Sequence, residues 1–554
     1  MRNNKRVYVL LIAALLCFFT FSNALAQSDG CTCIAVGKDA SVDGSTMITH
    51  NDDSGVGDVR LWIIPAADWP EGATKEILVD GHSYGDYGKW PFANFPAKEL
   101  YGSGFTLGEM PQVPHTYRYF HSRYSFANEN GVCMGETTCT PRGSELADEI
   151  RATMGEEEGK IDMWFCMDIA LQRATTAKEA VQVMGDLVEE YLWYGGMSPG
   201  SGECAVITDG DEVWVQEFYG LDLWCAVKVK DDEIFVSANR HRIRDIDLED
   251  EENTMYSPNL VSFAVEKGWY DPDSGEPFRP ADVYGPKVSP SSNVREWRAL
   301  SLLAPSLKLE YDDSESPYSL YPFSVKPDKK VSVDDIFKIA GDTLKGTKFD
   351  LTKGPGSGPY GNPIEARPGG ARSINTKSTL FGQISQVRGW LPDPIKAVTW
   401  FGYGAQDTSY LTPINPNMKE LPAFYSTGSR YEPYDRDSGW WINTRVMHLA
   451  EYCYSEAIKD IYAFRQPKMD MLYHTVPLVL EHAAEIYKVD RETAMNIMHN
   501  FYYNNAVAMH EEWKHLGDIL QGKYVVNNPH KAVPPYPEWW EELIHDEYGS
   551  KQSD

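Results

Sequence analysis

Positive charge is what this 554-residue chain is shortest of: 51 lysines and arginines stand against 81 aspartates and glutamates, a formal charge of −30. That balance argues against nucleic acid and anionic membranes as partners, because both carry the same sign. Cysteine is scarce as well. Cys17, Cys31, Cys33, Cys133, Cys139, Cys166, Cys204, Cys225 and Cys453 are too scattered for a disulfide framework. Most lie in apolar runs, where a small, inert, buried thiol is expected, and one bridge is left open. Metal and phosphate motifs are missing too. No Gly-Lys-Ser/Thr follows the glycine- and proline-rich segment 354–370, which excludes a phosphate loop and leaves a long loop near the site or a linker. HEEWKH at 510–515 spaces its histidines i, i+5 rather than the i, i+4 of zinc proteases, so His510 and His515 are expected at the surface. The acidic run DIDLEDEEN at 245–253 lacks the glycine and spacing of a calcium loop and reads as solvated. No internal repeat is visible. The apolar run Val7 to Phe21 is short of the ~20 residues that span a membrane.

What is present is ordinary for a large soluble core, with 42% hydrophobic and 24% charged residues. The amino terminus is a separate matter. Arg2, Lys5 and Arg6, then the apolar run, then Ala24-Leu25-Ala26 have the layout of a secretory signal cleaved after Ala26. The expectation is a secreted or periplasmic protein with no stable membrane insertion. Gln27 to Gly30 would remain as a short propeptide ahead of Cys31, to be removed by a second cut that the thiol itself can make on the Gly30 carbonyl. Losing residues 1–30 removes three positive charges and Asp29, so the formal charge becomes −30 − 3 + 1 = −32, termini ignored.

The chain is organised around Cys31 to Ser54. As a first residue, Cys31 carries nucleophile and base together, since an α-amine of pKa about 7.7–8.0 can take the thiol proton. Ile34 to Gly37 reads as a strand, Asp43-Gly44-Ser45 as a turn and Thr46 to His50 as the returning strand, which brings Asn51-Asp52-Asp53 back beside Cys31. Cys33, two residues on, is the competing thiol. Further along, Leu61 to Pro65 is a short strand, and Trp69-Pro70 and Trp90-Pro91 mark an aromatic surface insertion. Asn130-Gly131 signals a hairpin leading into Val132 to Thr138. Helical periodicity fills 161–194. Strands return at Cys204–Thr208, Val213–Phe218, Leu223–Val229 and Ile234–Asn239 as an antiparallel meander. A helix over 291–306 carries Arg295 and Arg298 one turn apart. Ser378–Val387 and Ala397–Phe401 are strands around a turn at 390–394. Helices follow at 446–464, 472–487 and 491–520, the last capped by Asp490.

Cys31-Thr32, Val36-Gly37-Lys38, Ala40-Ser41, Asp43-Gly44-Ser45-Thr46 and Asp53-Ser54 resemble the amino terminus of bacterial cysteine dipeptidases of the dipeptidase A type, in the N-terminal nucleophile hydrolase superfamily. Pro65 to Trp69 is similar to that family as well, and the resemblance covers nearly the whole mature chain. It is strongest at the amino terminus, at 126–142 and at 376–413. His50 stands where relatives carry an arginine three residues before the aspartate that Asp53 matches. The resemblance implies an α+β fold: a four-layer αββα sandwich over 31–440 with a helical carboxyl-terminal region, 441–554, packed on it. It implies that Asp53 holds the Cys31 ammonium and that Asn239 donates to the oxyanion. It also implies a second donor, a backbone N–H near Thr137, and Arg295 closing the site, with Arg298 as the alternative. No metal or organic cofactor is expected. Short peptides are the expected substrates, and homo-oligomerisation is left open. Two other readings compete: an amide acylase of the penicillin V or bile-salt type, and an inactive secreted binding protein. The acylases are much shorter, and an intact Cys31 and Asp53 count against loss of activity.

Overall fold

Short runs of β-branched and aromatic residues, punctuated by glycine and aspartate turns, form the strands, all of which among the described residues end by Ile414. In this computed structural model the described residues span 30–549, excluding 56, 79–105, 143–158, 196–200, 286–288, 313–320, 365–369, 429, 431 and 526–531. The expected signal and the leader residues 27–29 therefore lie outside the described residues, as does Trp90-Pro91.

Twelve strands form two antiparallel sheets. In chain order they are β1 (Cys33–Val36), β2 (Thr46–Asp53), β3 (Cys133–Cys139), β4 (Gly202–Thr208), β5 (Val213–Gly220), β6 (Leu223–Lys228), β7 (Ile234–Ser237), β8 (Thr254–Tyr256), β9 (Ser324–Val325), β10 (Thr379–Val387), β11 (Ala397–Tyr403) and β12 (Thr412–Ile414). The seven-stranded sheet runs β9-β7-β1-β2-β10-β11-β12, and the five-stranded sheet β8-β6-β5-β4-β3. The opening hairpin forms as expected, with Ala35 opposite Ile48 and Val36 opposite Met47. Asp43 fixes its turn by accepting from the Ser45 N–H at 3.2 Å and the Ser45 hydroxyl at 2.5 Å. The returning strand is longer than its apolar pattern suggests, running on through Asp53, because β10 pairs with it as far as Thr379 opposite Asp53.

The meander needs correction at its last strand. β4, β5 and β6 are a meander, but β7 leaves it and pairs with β1, Cys33 opposite Ser237. Local pattern does not distinguish these outcomes, since β7 is apolar on both faces and suits either sheet. The two sheets meet closely. Thr46 and Thr208 hydroxyls lie 2.6 Å apart, and Gln383 donates to the Met134 carbonyl at 3.0 Å. Gly135 permits this approach, because a Cβ there would stand 2.5 Å from the Thr49 carbonyl oxygen.

Helices α1 (Met163–Arg173) and α2 (Ala177–Tyr191) start at side-chain caps from Asp162 and Thr176. α2 lies on the five-stranded sheet, where Gln216 donates to the Val181 carbonyl. α3 (Pro290–Leu303) lies beside β7. The carboxyl-terminal part is helical as expected, in α4 (Gly439–Glu451), α5 (Tyr454–Tyr487) and α6 (Arg491–Leu520), and Asp490 caps α6 through the Thr493 N–H. α5 does not break between Phe464 and Leu472. It continues through Pro467 and Pro477, because a buried stripe from Ile461 through Arg465, Met469, Leu472 and Val476 to Leu480 outweighs the lost backbone bonds. These helices belong to the main core: Arg465 donates to the carbonyls of Gln406, Asp407 and Ser409. His510 departs from the expectation of a surface residue. It is buried and stacked 4.2 Å from Phe424, and burial lowers its pKa to about 4, so it is neutral. His515 is exposed as expected.

The chain is thus mixed α and β with a helical carboxyl-terminal part. The run 245–253 forms turns at the surface. All eight cysteines among the described residues are free and buried, so the open question of a bridge closes for them. Among the described residues no helix is long and apolar enough to cross a membrane.

Candidate active site

Backbone pairing at the open end of the first hairpin builds the site. Thr32 and Asn51 exchange two main-chain bonds of 3.2 and 3.0 Å, and the Gly30 N–H donates to the Asp53 carbonyl at 2.8 Å. Cys31 is thereby pinned against the end of β2 with 1% of its surface exposed. Successive β2 side chains point to opposite faces, so Asp52 and Asp53 do different work. Asp52 is the carboxylate beside the thiol: Cys31 Sγ donates to its Oδ1 at 3.9 Å, and Arg123 Nη1 holds the same oxygen at 3.1 Å. Asp53 accepts from Arg372 Nη1 at 2.9 Å and from the Thr379 hydroxyl at 2.6 Å. Sequence reasoning brought Asn51-Asp52-Asp53 beside Cys31 but gave the role to Asp53, and it did not single out Asp52, Arg123 or Arg372.

The electrostatics follow from burial. Desolvation pushes the Cys31 thiol well above its ordinary pKa, the charges of Glu136, Asp52 and Asp53 add to this, and the Asp53 backbone N–H opposes it. In the chain with Gly30 still attached, the sulfur therefore stays protonated. Asp52 is pushed up to about 6 by burial, against the pull of Arg123 and His50. Asp53 is raised by burial, with Arg372, Thr379 and Arg295 limiting the rise.

Asn239 reaches the site because β7 crossed to pair with β1. It sits just past the strand at φ 61°, a left-handed conformation that asparagine tolerates better than most residues. Glu296 on α3 anchors this turn by accepting from the Ala238 N–H at 3.2 Å and pairing with Arg240 and Arg242. The Asn239 amide donates to the Thr138 carbonyl at 2.8 Å, and its Oδ1 accepts from Arg295 Nη2 at 2.8 Å. Arg295 also donates to the Cys31 carbonyl at 2.6 Å and the Thr32 hydroxyl at 2.9 Å. Burial and the neighbouring Arg372 lower its pKa well below the usual value. Arg298, the alternative, pairs with Asp342 at 2.8 Å. Thr137 is fully buried in β3 opposite Cys204, its hydroxyl 3.0 Å from that of Ser237. Cys31, Asp53, Asn239 and Arg295 are thus joined by direct contacts or a single shared partner, and Thr137 adjoins the Thr138 carbonyl that Asn239 holds.

His50 is fully buried and faces Glu136. Its Nε2 lies 3.1 Å from Glu136 Oε1, and its ring meets Tyr124 and Phe381 edge-on at 5.1 and 5.4 Å. Arginines reach the corner from elsewhere in the chain instead, Arg123 to Asp52 and Arg372 to Asp53. Behind them, Glu136 and Glu203 are a buried carboxyl pair. Burial raises both, but hydrogen bonds from Glu203 and His50 bring Glu136 below its usual value, whereas the Glu136 charge helps drive Glu203 well above its own. Cys33 is occupied too, its thiol donating to the Glu136 carbonyl at 3.1 Å.

Among the described residues, Cys31, His50 and Asp52 form a set able to meet a metal ion, with ligand atoms within 4.8 Å of one another. Their chemistry also suits an acid–base corner around a thiol. Of the residues passed over, Asp52 had a signal in the Asn-Asp-Asp run. Arg372 had only its place two residues after the 354–370 loop, and Arg123 had none.

The chain matches peptidase family C69 over residues 30–78 and 113–466. It is 26% identical to a probable dipeptidase of Latilactobacillus sakei over 455 residues, 80% of this chain and 84% of that protein. A probable dipeptidase of Salmonella dublin is 27% identical over 442 residues, 77% of this chain and 92% of its own length. A dipeptidase of Bifidobacterium longum is 26% identical over 493 residues, 82% and 84% of the two chains. With most of its length inside that match, and Cys31 at the match's amino-terminal edge, the chain belongs to peptidase family C69.

Proposed function

We propose that the chain is a cysteine dipeptidase that hydrolyses dipeptides and short peptides, with Cys31 as nucleophile and first residue of the mature protein. The observation that carries this reading is the corner around Cys31: a thiol 3.9 Å from the Asp52 carboxylate, with the Cys31 carbonyl gripped by Arg295, one residue inside the start of the family match. The names of the relatives support the substrate class. The facing sheets, with α2 on one and α4 to α6 against the other, favour the four-layer αββα sandwich of the N-terminal nucleophile hydrolases. A signal at Met1–Ala26 and export to the periplasm or beyond remain part of the proposal.

In this mechanism the free α-amine of Cys31 takes the thiol proton, and Asp52, with its pKa near 6, is the adjacent carboxylate that stabilises the resulting ammonium. The thiolate attacks the substrate carbonyl. The second N–H of the Asn239 amide, and a backbone N–H near Thr137, receive the developing oxyanion; such donors are typically worth about 2.7–4 kcal/mol each. The amine then returns the proton to the leaving group, and water hydrolyses the thioester.

The acylase reading is separated by one assay with three substrates: a free dipeptide, its N-acetylated form and penicillin V. A dipeptide pocket must pair the substrate ammonium, and an acylated substrate leaves that acceptor unpaired. Turnover of the free dipeptide alone, abolished by thiol-blocking reagents, is expected. Equal or faster turnover of the acylated compounds would move the protein to the acylase class.

A further inference from the structure

The surroundings of the Gly30–Cys31 peptide are more specific than a passing leader requires. The Gly30 N–H donates to the Asp53 carbonyl at 2.8 Å, and the Gly30 carbonyl accepts from Arg372 Nη2. The next carbonyl, that of Cys31, accepts from Arg295 Nη1 at 2.6 Å. Two buried guanidiniums thus hold the two carbonyls on either side of the Cys31 α-carbon. Arg372 divides its donors: Nη1 serves Asp53 at 2.9 Å and the Ser373 carbonyl at 3.1 Å, and Nη2 serves Gly30. The position itself is shaped for glycine. A Cβ on residue 30 would stand 2.5 Å from Arg372 Nη2 and 2.7 Å from Asn239 Oδ1.

The geometry points to Arg372 as a catalytic residue of the chain's own maturation, the donor that stabilises the Gly30 carbonyl oxygen while the Cys31 thiol attacks its carbon. The inference rests on the reading that Cys31 becomes the first residue, and adds the group that makes the cut feasible. Sγ forms a bond to the Gly30 carbonyl carbon, the C–N bond to Cys31 breaks, and the thiol proton passes to the departing nitrogen. The product is a thioester with a free α-amine. Water then adds to that ester, the S–C bond breaks, the thiol regains a proton, and the leader departs with the Gly30 carboxylate. In the tetrahedral stage the charge collects on the oxygen that Arg372 already holds. A buried, pre-aimed guanidinium stabilises that charge more than the neutral carbonyl, which is the condition for catalysis rather than binding. The same contact explains the glycine: a side chain would displace the donor from the carbonyl it serves.

Maturation and turnover are separable in the test. Chains beginning at Gln27 are followed by intact mass for wild type, Cys31→Ala, Arg372→Lys, Arg372→Gln, Gly30→Ala and Gly30→Val. The arginine variants are also made behind a fusion partner whose protease exposes Cys31 directly, and their dipeptide turnover is measured. Leader removal is expected to slow about 10²–10³-fold in Arg372→Gln, the loss usual for one oxyanion donor, and less in Arg372→Lys. Turnover of the directly exposed chains is expected to fall by a much smaller factor. The Gly30 variants, which release a mature chain identical to wild type and so cannot fail through a misfolded product, are expected to slow in the order valine below alanine. Wild-type leader removal in Arg372→Gln or Gly30→Val overturns the proposal. An equal fall in maturation and turnover for Arg372→Gln overturns it too, leaving Arg372 as a positioning partner of Asp53. An active wild type that keeps Gln27 to Gly30, or a Cys31→Ala chain that loses them, instead refutes the self-processing reading and takes the Arg372 role with it.

Discussion

Asp52 Oδ1 lies 3.9 Å from Cys31 Sγ, and Asp53, one residue on, faces Arg372 and Thr379 instead. Adjacent aspartates on a buried strand thus divide the labour, because the pleat sends them to opposite faces. One sits beside the sulfur with a pKa moved up to about 6, and the other accepts from the arginine that also holds the Gly30 carbonyl.

The first prediction concerns pH. Asp52 is neutral below about 6 and ionised above it, and only the carboxylate stabilises an ammonium at Cys31. The kcat/KM of the mature enzyme should therefore rise with pH through an acid limb to which Asp52 and the Cys31 α-amine, which must be unprotonated to act as base, both contribute, and Asp52→Asn should lower the plateau and move that limb. Stability carries the opposite sign. A carboxyl whose folded pKa exceeds its unfolded value of about 3.9 contributes most below that value, and the contribution is lost as pH rises through 6. A wild-type profile with no limb between pH 5 and 7 would show that Asp52 does not titrate in the catalytic cycle.

Asp53 should matter to the fold as well as to activity. The Asp53–Arg372 pair is buried on both sides, and removing one partner of such a pair typically costs about 3–5 kcal/mol. Asp53→Asn and Arg372→Gln should each lower the melting temperature, and the double variant should lose less than the sum. A double-mutant cycle in denaturant measures this, and additive losses would dissolve the pair.

Asn239 separates conformation from chemistry. Asn239→Gly keeps the positive φ without strain and deletes the amide, so kcat should fall about 10²–10³-fold with little change in KM. Asn239→Ala adds backbone strain to the same chemical loss, so it should melt lower than the glycine variant. Full activity in Asn239→Gly would remove this side chain from the oxyanion site.

The two arginines of α3 should behave very differently. Arg298 pairs with Asp342 near the surface, with 18% and 17% of the side chains exposed, and such a pair is worth about 0–1 kcal/mol. Arg298→Gln should leave turnover unchanged. Arg295→Gln strips the Cys31 carbonyl and Asn239 of their donor and should reduce turnover by orders of magnitude. Steady-state kinetics of the pair decides between them, and a reversed order would return Arg298 to the site.

Much of this was legible in the chain itself. The Asp43-Gly44-Ser45 turn and the apolar run before it determine the opening hairpin, because turn chemistry and alternation are local. The motifs from Cys31 to Ser54 carry the resemblance that singled out Cys31, and local pattern placed Asn239 at the end of a strand and Asp490 at a helix start. Other features had no local signal. Whether Ile234–Ser237 closes the meander or crosses to Cys33–Val36 depends on which sheet edge is free, and that crossing is what carries Asn239 to Cys31. Arg295 and Arg298 have the same side chain one turn apart, and only the packing of α3 beside β7 decides which of them is buried. Arg372 is 319 residues from the aspartate it holds and 342 from the carbonyl. No spacing rule spans that distance, since long-range ion pairs are set by how the sheets close around buried charge, and that closure exists only in the folded chain.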